Sequence, residues 1–379
     1  MDVSVARCEN YSDEACQKAL REVLEPFGGL DWVLPGMCIA VKANLVSAMK
    51  PEAAATTHPA LLRALTRALT ERGARVVIGD SPGGLYNAAF LNRVYSVTGM
   101  RETGAELNQN FAQSEAAFPQ AHVARHFTYT SYLGEADAII SFAKLKSHGM
   151  MSLSAATKNL FGAVPGTVKP EYHFRYPEPL DFAAMLIDLN DYFKPRLYLV
   201  DAVEAMEGNG PTAGTPRHVG ALLAGTDCHK VDLICAKLIG LEPMAVPTLR
   251  AAANFGRIGE SADCVEICGP MEELIVPDFE RIERGRGMQF ETLLPGKLGR
   301  GFSRVVCRAL RSSPRLKRSL CVGCGVCAGI CPAHAIEIRE KRAKIDFGKC
   351  IRCFCCQEFC PKGAMKVHRP LPARLLNRS

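Results

Sequence analysis

Two groups of cysteines near the end of the chain constrain its fold more than any other feature of the sequence. The groups are Cys321, Cys324, Cys327 and Cys331, then Cys350, Cys353, Cys356 and Cys360. Each has the spacing C-x-x-C-x-x-C-x-x-x-C and is followed directly by proline. Because this spacing is of the metal-binding type, the segment must fold so that its thiols converge.

The two cysteine groups belong to an internal duplication. One constant offset, that from Cys321 to Cys350, relates all four cysteines of the first group to those of the second. The similarity continues beyond the cysteines at the same offset, with Pro332, Ala335, Ile336 and Ile338 in the first repeat and Pro361, Ala364, Met365 and Val367 in the second. We therefore predict a small α+β domain at 317–368, with pseudo-twofold symmetry and one short strand in each half.

The spacing resembles that of bacterial two-cluster ferredoxins, in which the fourth cysteine of each group binds the other cluster. The resemblance implies two [4Fe–4S] clusters, one on Cys321, Cys324, Cys327 and Cys360 and the other on Cys350, Cys353, Cys356 and Cys331. Zinc sites also use C-x-x-C pairs, but they do not need three evenly spaced cysteines followed by Cys-Pro, twice. Cys355 adjoins Cys356, and we interpret it as a free thiol.

Composition bears on location and on partners. The chain has 17 cysteines, and those outside the two groups are scattered, which fits a reducing cytoplasm. We expect no secretory signal and no membrane-spanning helix, because no run approaches the roughly 18 apolar residues required. The formal charge is +7, and two clusters with their thiolates would add roughly −4. We therefore expect no nucleic-acid binding.

The segment 297–316 is predicted to be a basic amphipathic connector. Its apolar residues form one helical stripe with arginines opposite, namely Phe302, Val305, Val306, Ala309 and Leu310 against Arg300, Arg304, Arg308 and Arg311. The stripe fits a helix docked on its own domain. A surface for an acidic electron-transfer partner and a weak membrane-surface contact are the alternatives. Residues 369–379 are left as a tail.

Residues 1–296 are predicted to form one α/β domain. Short apolar runs mark candidate strands at Met37–Val41, Ala74–Ile78, Ala138–Phe142, Leu197–Val200 and Ala221–Ala224. A helix lies between the first two, with Thr57 as its cap, Pro59 in its first turn and Gly73 after its end. This strand–helix–strand order favours a mostly parallel sheet with helices on both faces.

Polar residues follow these strands, at the edge of the sheet where ligands bind in open α/β folds. They are Lys42 and Asn44, then Asp80 and Ser81, then Lys144, Lys146 and His148, then Asp201 and Glu207, with Lys158 and Asn159 in a later helix-to-turn segment. In an extended segment Lys144, Lys146 and His148 point to one face, where three cations would repel without an anion nearby. A solvated lysine, or a helix cap in the case of Asp80, is the alternative for a single residue.

Several strings resemble the family catalogued as "domain of unknown function 362", which is often fused to a two-cluster ferredoxin module. They are VKANLV (41–46), THP (57–59), GDSPGG (79–84), KLKSHGM (144–150), ATKNLFG (156–162) and GNGPTAGTP (208–216). The resemblance covers roughly residues 1–270 and the cysteine segment. It implies an iron–sulfur protein of anaerobic metabolism, and it implies no particular substrate.

The leading hypothesis is an oxidoreductase that passes electrons from a low-potential donor protein to an anionic substrate. Lys42, Lys144, Lys146 and Lys158 would hold the anion, with Asn44, Ser81 and Asn159 beside them. His148 or His58 would supply a proton. Asp80, Asp201 and Glu207 would orient cations or accept protons. The alternatives are a non-catalytic electron carrier or assembly protein, and a hydrolase or lyase whose clusters are purely structural or redox-sensing.

Overall fold

The computed structural model describes residues 1–281 and 312–368, and the chain divides into two compact units, 1–281 and 282–379. The strands of the first unit are β1 (Val3–Arg7), β2 (Cys38–Ala43), β3 (Arg75–Gly79), β4 (Glu106–Leu107), β5 (Gln113–Ala117), β6 (His126–Thr130), β7 (Ala138–His148), β8 (Ser152–Ser154), β9 (Leu197–Glu207), β10 (Thr215–Gly225) and β11 (Ile267–Cys268). Its α-helices are α1 (Asp13–Leu24), α2 (Pro59–Thr70), α3 (Ala88–Val97), α4 (Ala156–Asn159), α5 (Lys169–Arg175), α6 (Pro179–Phe193), α7 (Cys228–Leu238) and α8 (Pro247–Asn254).

Nine of these strands form one mixed, mostly parallel sheet. The order is β11-β1-β10-β9-β7-β2-β3-β4, and β8 pairs with β7. Strands β9, β7, β2, β3 and β4 run parallel, whereas β10 is antiparallel to β9. Strands β5 and β6 form a separate antiparallel ribbon. The predicted α/β class is confirmed, and all five predicted strands lie in the sheet.

Helix α2 confirms the predicted strand–helix–strand unit but not its predicted cap. The helix spans Pro59–Thr70, and the Nδ1 atom of His58 accepts a hydrogen bond from the backbone N–H of Ala60. Thr57 is used elsewhere, since its hydroxyl accepts from Asn44 N and donates to the carbonyl of Phe142. The cap prediction was wrong by one residue.

Helices cover both faces of the sheet, and side-chain alternation assigns each residue to a face. On one face, Ile39, Val41 and Phe142 belong to a core shared with α1 and α2. Lys144 follows Phe142 by two positions and lies on that same face. Lys42 alternates with Val41 and therefore lies on the opposite face. The lysines that the sequence groups together are thus divided between two faces of the sheet.

The strand order reverses at β2. From β2 the chain first adds β3 and β4 on one side, then returns to place β7 and β9 on the other. Ligands of open α/β sheets bind outside the carboxyl ends of the strands at such a reversal. Strand β7 runs past the end of β2, which it last pairs with at Phe142, and continues to His148.

The second unit repeats its own structure at the predicted offset. Its strands are β12 (Ser313–Leu316), β13 (Ile336–Arg339), β14 (Arg342–Ile345) and β15 (Met365–His368), and its short helices are α9 (Val326–Gly329) and α10 (Cys355–Glu358). Each element of the first repeat has a counterpart in the second, at the offset that separates Cys321 from Cys350. Strand β12 pairs with β15 and β13 pairs with β14, so each two-stranded sheet takes one strand from each repeat.

Strand β12, which pairs with β15, lies just before residue 317, where the small domain was predicted to begin. Within the predicted connector 297–316, residues 297–311 lie outside the described part of the chain, as do the stripe that begins at Phe302 and the tail 369–379. Among the residues described, no helix combines the length and apolar character needed to cross a bilayer.

Candidate functional site

The first candidate cluster is a buried ion pair at the end of β2. Lys42 Nζ lies 2.7 Å from Asp80 Oδ1, and both side chains are almost completely buried. Lys42 also donates to its neighbour's carbonyl, Ala43 O, at 2.6 Å. Burial lowers the pKa of Lys42, and the Asp80 carboxylate opposes that effect. The second oxygen of Asp80 accepts from Leu45 N, so Asp80 does not cap a helix.

The backbone at Gly162 packs directly against this ion pair. A Cβ atom at position 162 would overlap Asp80 Oδ1 and Lys42 Nζ. Only a residue without a side chain allows the backbone of the 160–163 turn to approach so closely. The glycine of the ATKNLFG string is therefore explained by the ion pair beneath it.

The second cluster lies on the opposite face, around Asp201 in β9. Lys144 Nζ lies 2.9 Å from Asp201 Oδ2. Tyr11 accepts from Lys144 at 2.7 Å and donates to Asp201 Oδ1 at 2.9 Å. The backbone N–H of His58 donates to Asp201 Oδ2 at 2.9 Å. Burial and the carboxylate raise the pKa of Tyr11 well above its usual value, so it remains a neutral phenol.

His58 lies against Tyr11, with the two rings stacked at a centroid distance of 3.5 Å. Burial lowers the pKa of His58 to about 4, with Asp201 opposing and Lys144 reinforcing the shift. The ring is therefore neutral near pH 7. Since Nδ1 accepts from Ala60 N, the single ring proton sits on Nε2.

Hydrogen bonds through two asparagines join Lys146 to Lys42. Lys146 donates to Asn44 Oδ1 at 2.5 Å and to Ala55 O at 2.8 Å. Asn44 Nδ2 donates to Asn159 Oδ1 at 3.3 Å, and that oxygen lies 3.4 Å from Lys42 Nζ. Asn159 also donates to Lys42 O and Ser141 Oγ. The two asparagines therefore link the two faces at the point where the strand order reverses.

The remaining predicted residues are more dispersed. His148 is buried, and its Nδ1 accepts from Met150 N and Met151 N at 3.1 Å each. Ser81 Oγ accepts from Gly166 N at 2.7 Å. Glu207 ends β9 and accepts from Glu280 N. Lys158 is half-buried, with its ammonium 5.8 Å from the centre of the Phe161 ring.

Tyr11 in the second cluster and Lys169 near Lys158 were not predicted from the sequence. Tyr11 lies just before α1 and far from every strand end along the chain, so nothing in its surroundings indicates its contact with Asp201. Lys169 lies 5.3 Å from the Phe161 ring centre, close to Lys158 in the fold. The two lysines belong to different helices, α4 and α5, so no single periodic pattern in the sequence brings them together.

In the second unit, four thiols line one cleft. Cys321, Cys324, Cys327 and Cys360 surround it together with apolar residues such as Leu316 and Met365, and it holds about 350 Å³ of empty volume, part of it open to solvent. Burial raises the pKa of Cys327, and repulsion from Cys360, Cys324 and Cys321 adds to it. These are the four cysteines that the sequence assigns to one cluster.

The other four cysteines are also neighbours. Burial raises the pKa of Cys356 well above its usual value, and the thiols of Cys353, Cys350, Cys327 and Cys331 reinforce that shift. Cys327 belongs to the first set, so the two sets approach each other at this point. Cys331 comes from the first repeat, whereas the other three of its set come from the second.

The fourth cysteine of each repeat has the same environment. Ala335 N donates to Cys331 Sγ at 3.3 Å, and at the equivalent position of the second repeat Ala364 N donates to Cys360 Sγ at 3.2 Å. Such N–H bonds to sulfur hold ligating thiolates and tune cluster potentials. None of the described cysteines forms a disulfide. In the same residues, no three or more His, Cys, Asp or Glu side chains are placed to hold a single metal ion.

The comparisons with known proteins assign a family. The model of the family "Domain of unknown function (DUF362)" matches residues 39–237, which is more than half of the chain. The chain belongs to this family. The match includes both buried ion pairs of this DUF362 protein, but Tyr11 lies outside it.

A second family model, for a 4Fe-4S dicluster domain, matches residues 320–364. The match contains all eight cysteines of the two groups. Together with the four-thiol cleft, it shows that the C-terminal unit of the DUF362 protein binds iron–sulfur cluster.

A curated relative and a solved structure are also similar. A thylakoid-associated protein of Synechocystis sp. is 29% identical over 288 residues, which are 73% of this chain and 87% of that protein. The lactate racemase apoprotein from Thermoanaerobacterium thermosaccharolyticum has a TM-score of 0.40 and 12% identity, over 61% of this chain. The chain spans 55% of the length of that racemase.

Proposed function

We propose that this DUF362 protein is an electron-transfer protein with two [4Fe–4S] clusters. One is held by Cys321, Cys324, Cys327 and Cys360, and the other by Cys350, Cys353, Cys356 and Cys331. The observation that carries the proposal is the cleft in which Cys360 of the second repeat joins three cysteines of the first. Only an exchange of the fourth ligand between the repeats gives these two sets.

The residues around the thiols fit such clusters. A [4Fe–4S] cluster takes four thiolates, one from each cysteine of a set, and when bound it stores and passes single electrons. Ala335 and Ala364 hold one sulfur of each set by their backbone N–H groups. Leu316, Ile338 and Met365 line the cleft and would limit the access of water to the first cluster.

Anaerobic reconstitution tests the cluster count and the exchange of ligands. Iron and acid-labile sulfide should each reach about eight per chain, and the reduced protein should show the EPR signals of two coupled clusters. Cys331→Ser and Cys360→Ser should each lower the iron content by up to half. Cys355→Ala is the matched control and should keep the full content. About four irons in the wild type, or zinc instead of iron, would contradict the assignment.

We infer further that the protein is a cytoplasmic oxidoreductase whose electrons come from a low-potential donor protein and reach an anionic substrate near the carboxyl ends of β2 and β3. Two observations support this. Polar side chains converge at the reversal of strand order, where α/β folds bind ligands. Lys158 lies at this edge and is half-buried, so it remains accessible to a ligand, and its ammonium contacts the Phe161 ring instead of a carboxylate.

Reoxidation of dithionite-reduced protein tests the reaction. A panel of small organic acids and phosphate esters is added anaerobically, and the visible absorbance of the clusters is followed. A true substrate should reoxidise the wild type, and Lys158→Ala should slow this at least tenfold while keeping its iron content. Equal rates in both proteins would remove Lys158 from the site. Native mass spectrometry of anaerobically purified protein can supply the first candidates for the panel.

A non-catalytic electron carrier or assembly protein is the second candidate. The observation that favours it is that Lys42, Lys144 and Lys146 already have partners within the chain. The sequence assigned these lysines to an external anion, but the chain's own Asp80 and Asp201 lie beside two of them. Reoxidation by an electron-transfer protein, with no response to any small molecule, would support this candidate.

A further inference from the structure

Two lysines gather around one aromatic ring beside the loop that follows β3. Lys158 Nζ and Lys169 Nζ lie 5.8 and 5.3 Å from the centre of the Phe161 ring, within the range of cation–π contact. Phe161 itself is buried, and Lys169 also donates to the carbonyl of Ser81. The ring thus holds two ammonium groups next to the GDSPGG loop.

His173 in α5 adds a buried nitrogen to this group. Its ring stacks on Phe182 at a centroid distance of 4.5 Å and meets Phe161 edge-on at 5.5 Å. The side chain is 3% exposed, and within residues 1–281 and 312–368 its Nδ1 has no hydrogen-bond partner. A buried polar atom of this kind normally has a hydrogen-bond partner.

The positive charge of Lys158 is not offset by an ion pair in the part of the chain described. The Asp80 carboxylate is paired with Lys42. The charge of Lys158 also lowers the pKa of Lys42, after the larger effect of burial. The pKa of His173 is lowered to about 3, mainly by burial and in addition by the ammonium groups of Lys158 and Lys169, so both lysines act on the same ring.

The group lies at the edge of the sheet where ligands of this fold class bind. Ser81 N donates to Gly162 O, and Gly166 packs so closely on Pro82 and Gly84 that a Cβ atom would overlap their carbonyl oxygens. The segment 156–169 is therefore held against the loop that follows β3. That loop adjoins the reversal of strand order at β2.

We propose that Lys158, Lys169 and His173 form a binding site for an oxyanion, the phosphate or carboxylate group of a small molecule. The ammonium groups supply the opposite charge, and the neutral imidazole supplies one hydrogen bond. The site deepens the proposed oxidoreductase function, because it names where an anionic substrate is held. It does not depend on the clusters, so the two can fail separately.

Thermal unfolding followed by the fluorescence of Trp32 tests the site. Trp32 is the single tryptophan of the chain and packs on the core of the first unit, so its signal reports that unit. Inorganic phosphate and succinate are titrated at constant ionic strength against chloride. We expect a saturable rise of Tm by several degrees with at least one anion, since a ligand that binds only the folded state stabilises it. The anion that acts identifies the chemical group.

Three variants make the test specific. Lys158→Gln should abolish the shift, and because it removes a cation that has no ion-pair partner among the described residues, it should not lower Tm without anion. Lys158→Arg keeps the charge and should keep most of the shift. Lys18→Gln, which removes an exposed lysine on α1, should leave the shift unchanged. The proposal is overturned if neither anion produces a saturable shift, or if Lys158→Gln and Lys18→Gln respond alike.

Discussion

The two units treat their buried reactive groups in opposite ways. In the α/β unit, the chain itself neutralises two buried lysines, since Lys42 pairs with Asp80 and Lys144 pairs with Asp201. In the C-terminal unit, the converging groups are thiols, which repel one another once ionised. The first unit therefore supplies the counter-charges of these two lysines, whereas the thiols of the second unit need an external cation. One unit should be stable by itself and the other should depend on iron.

Removal of iron should reveal the largest difference in stability between the two units. Treatment of the reduced protein with a chelator should abolish cluster absorbance and the folded signals of the C-terminal unit, because metal binding and folding are coupled in such sites. The Trp32 transition should keep its midpoint, since all eight proposed cluster ligands lie in the C-terminal unit. Loss of the Trp32 transition together with the folded signals of the C-terminal unit would contradict this difference between the two units. An oxidised sample without chelator is the control.

Asp201→Asn should cause the largest loss in the α/β unit. The substitution leaves Lys144 buried beside a neutral amide, and breaking a buried pair in this way costs about 3–5 kcal/mol. Urea unfolding followed by Trp32 fluorescence measures the free energy of unfolding. Asp13→Asn is the matched control, because Asp13 pairs with Arg63 on the surface and should contribute less than about 1 kcal/mol. Similar effects of both variants on the free energy of unfolding would mean that the buried pair contributes no more to stability than the surface pair does.

Gly162→Ala should have an intermediate effect. The added methyl group would overlap Lys42 and Asp80, and overpacking of this kind costs about 1–3 kcal/mol. Gly329→Ala offers the contrast in the C-terminal unit, since a Cβ there meets no atom within 4 Å. It should leave the iron content unchanged. If Gly162→Ala unfolds at the wild-type urea concentration, the close approach at residue 162 is not required.

The smallest effect concerns pH. The pKa of His58 is lowered to about 4, from its ordinary value of 6.5, so the folded protein binds fewer protons there than the unfolded chain does. Its contribution to stability is present above pH 6.5 and is lost as pH falls towards 4. His58→Asn keeps an N-cap acceptor and should make the stability less dependent on pH in this range. An unchanged pH profile would mean that His58 does not titrate as described.

The sequence predicted the elements better than their ends. The helix Pro59–Thr70 and the strands on either side of it follow from apolar periodicity, and all were confirmed. The segment 144–148 was expected to follow its strand, but it lies inside β7. Its backbone groups pair with β9 and β8, and such long-range pairing leaves no local signal. The antiparallel direction of β10 does have a signal, since the short segment 208–214 between β9 and β10 cannot form a crossover.

The sequence named candidate site residues such as Lys42 and Lys144, but it did not give the partners that these side chains have in the fold. Both faces of β2 and β7 are buried, so neither strand alternates between apolar and polar residues, and the sequence does not give the face on which Lys42 or Lys144 lies. Their partners could not be read from the sequence either, because Asp80 and Asp201 are distant along the chain and reach the lysines only through the order of strands. The cysteine unit was predicted in more detail, since its repeat is encoded in spacing alone.

The position of strand β8 bears on how a ligand would approach this edge of the sheet. The strand pairs with β7 at Lys146 and His148, along the same edge of β7 that pairs with β2 up to Phe142. Strand β8 therefore occupies that edge beyond the end of β2. The backbone groups of β7 beyond the end of β2 are therefore paired with those of β8 and are not available to a ligand. We therefore expect a small molecule bound at the proposed Lys158 site to approach from the side of β3, past the GDSPGG loop.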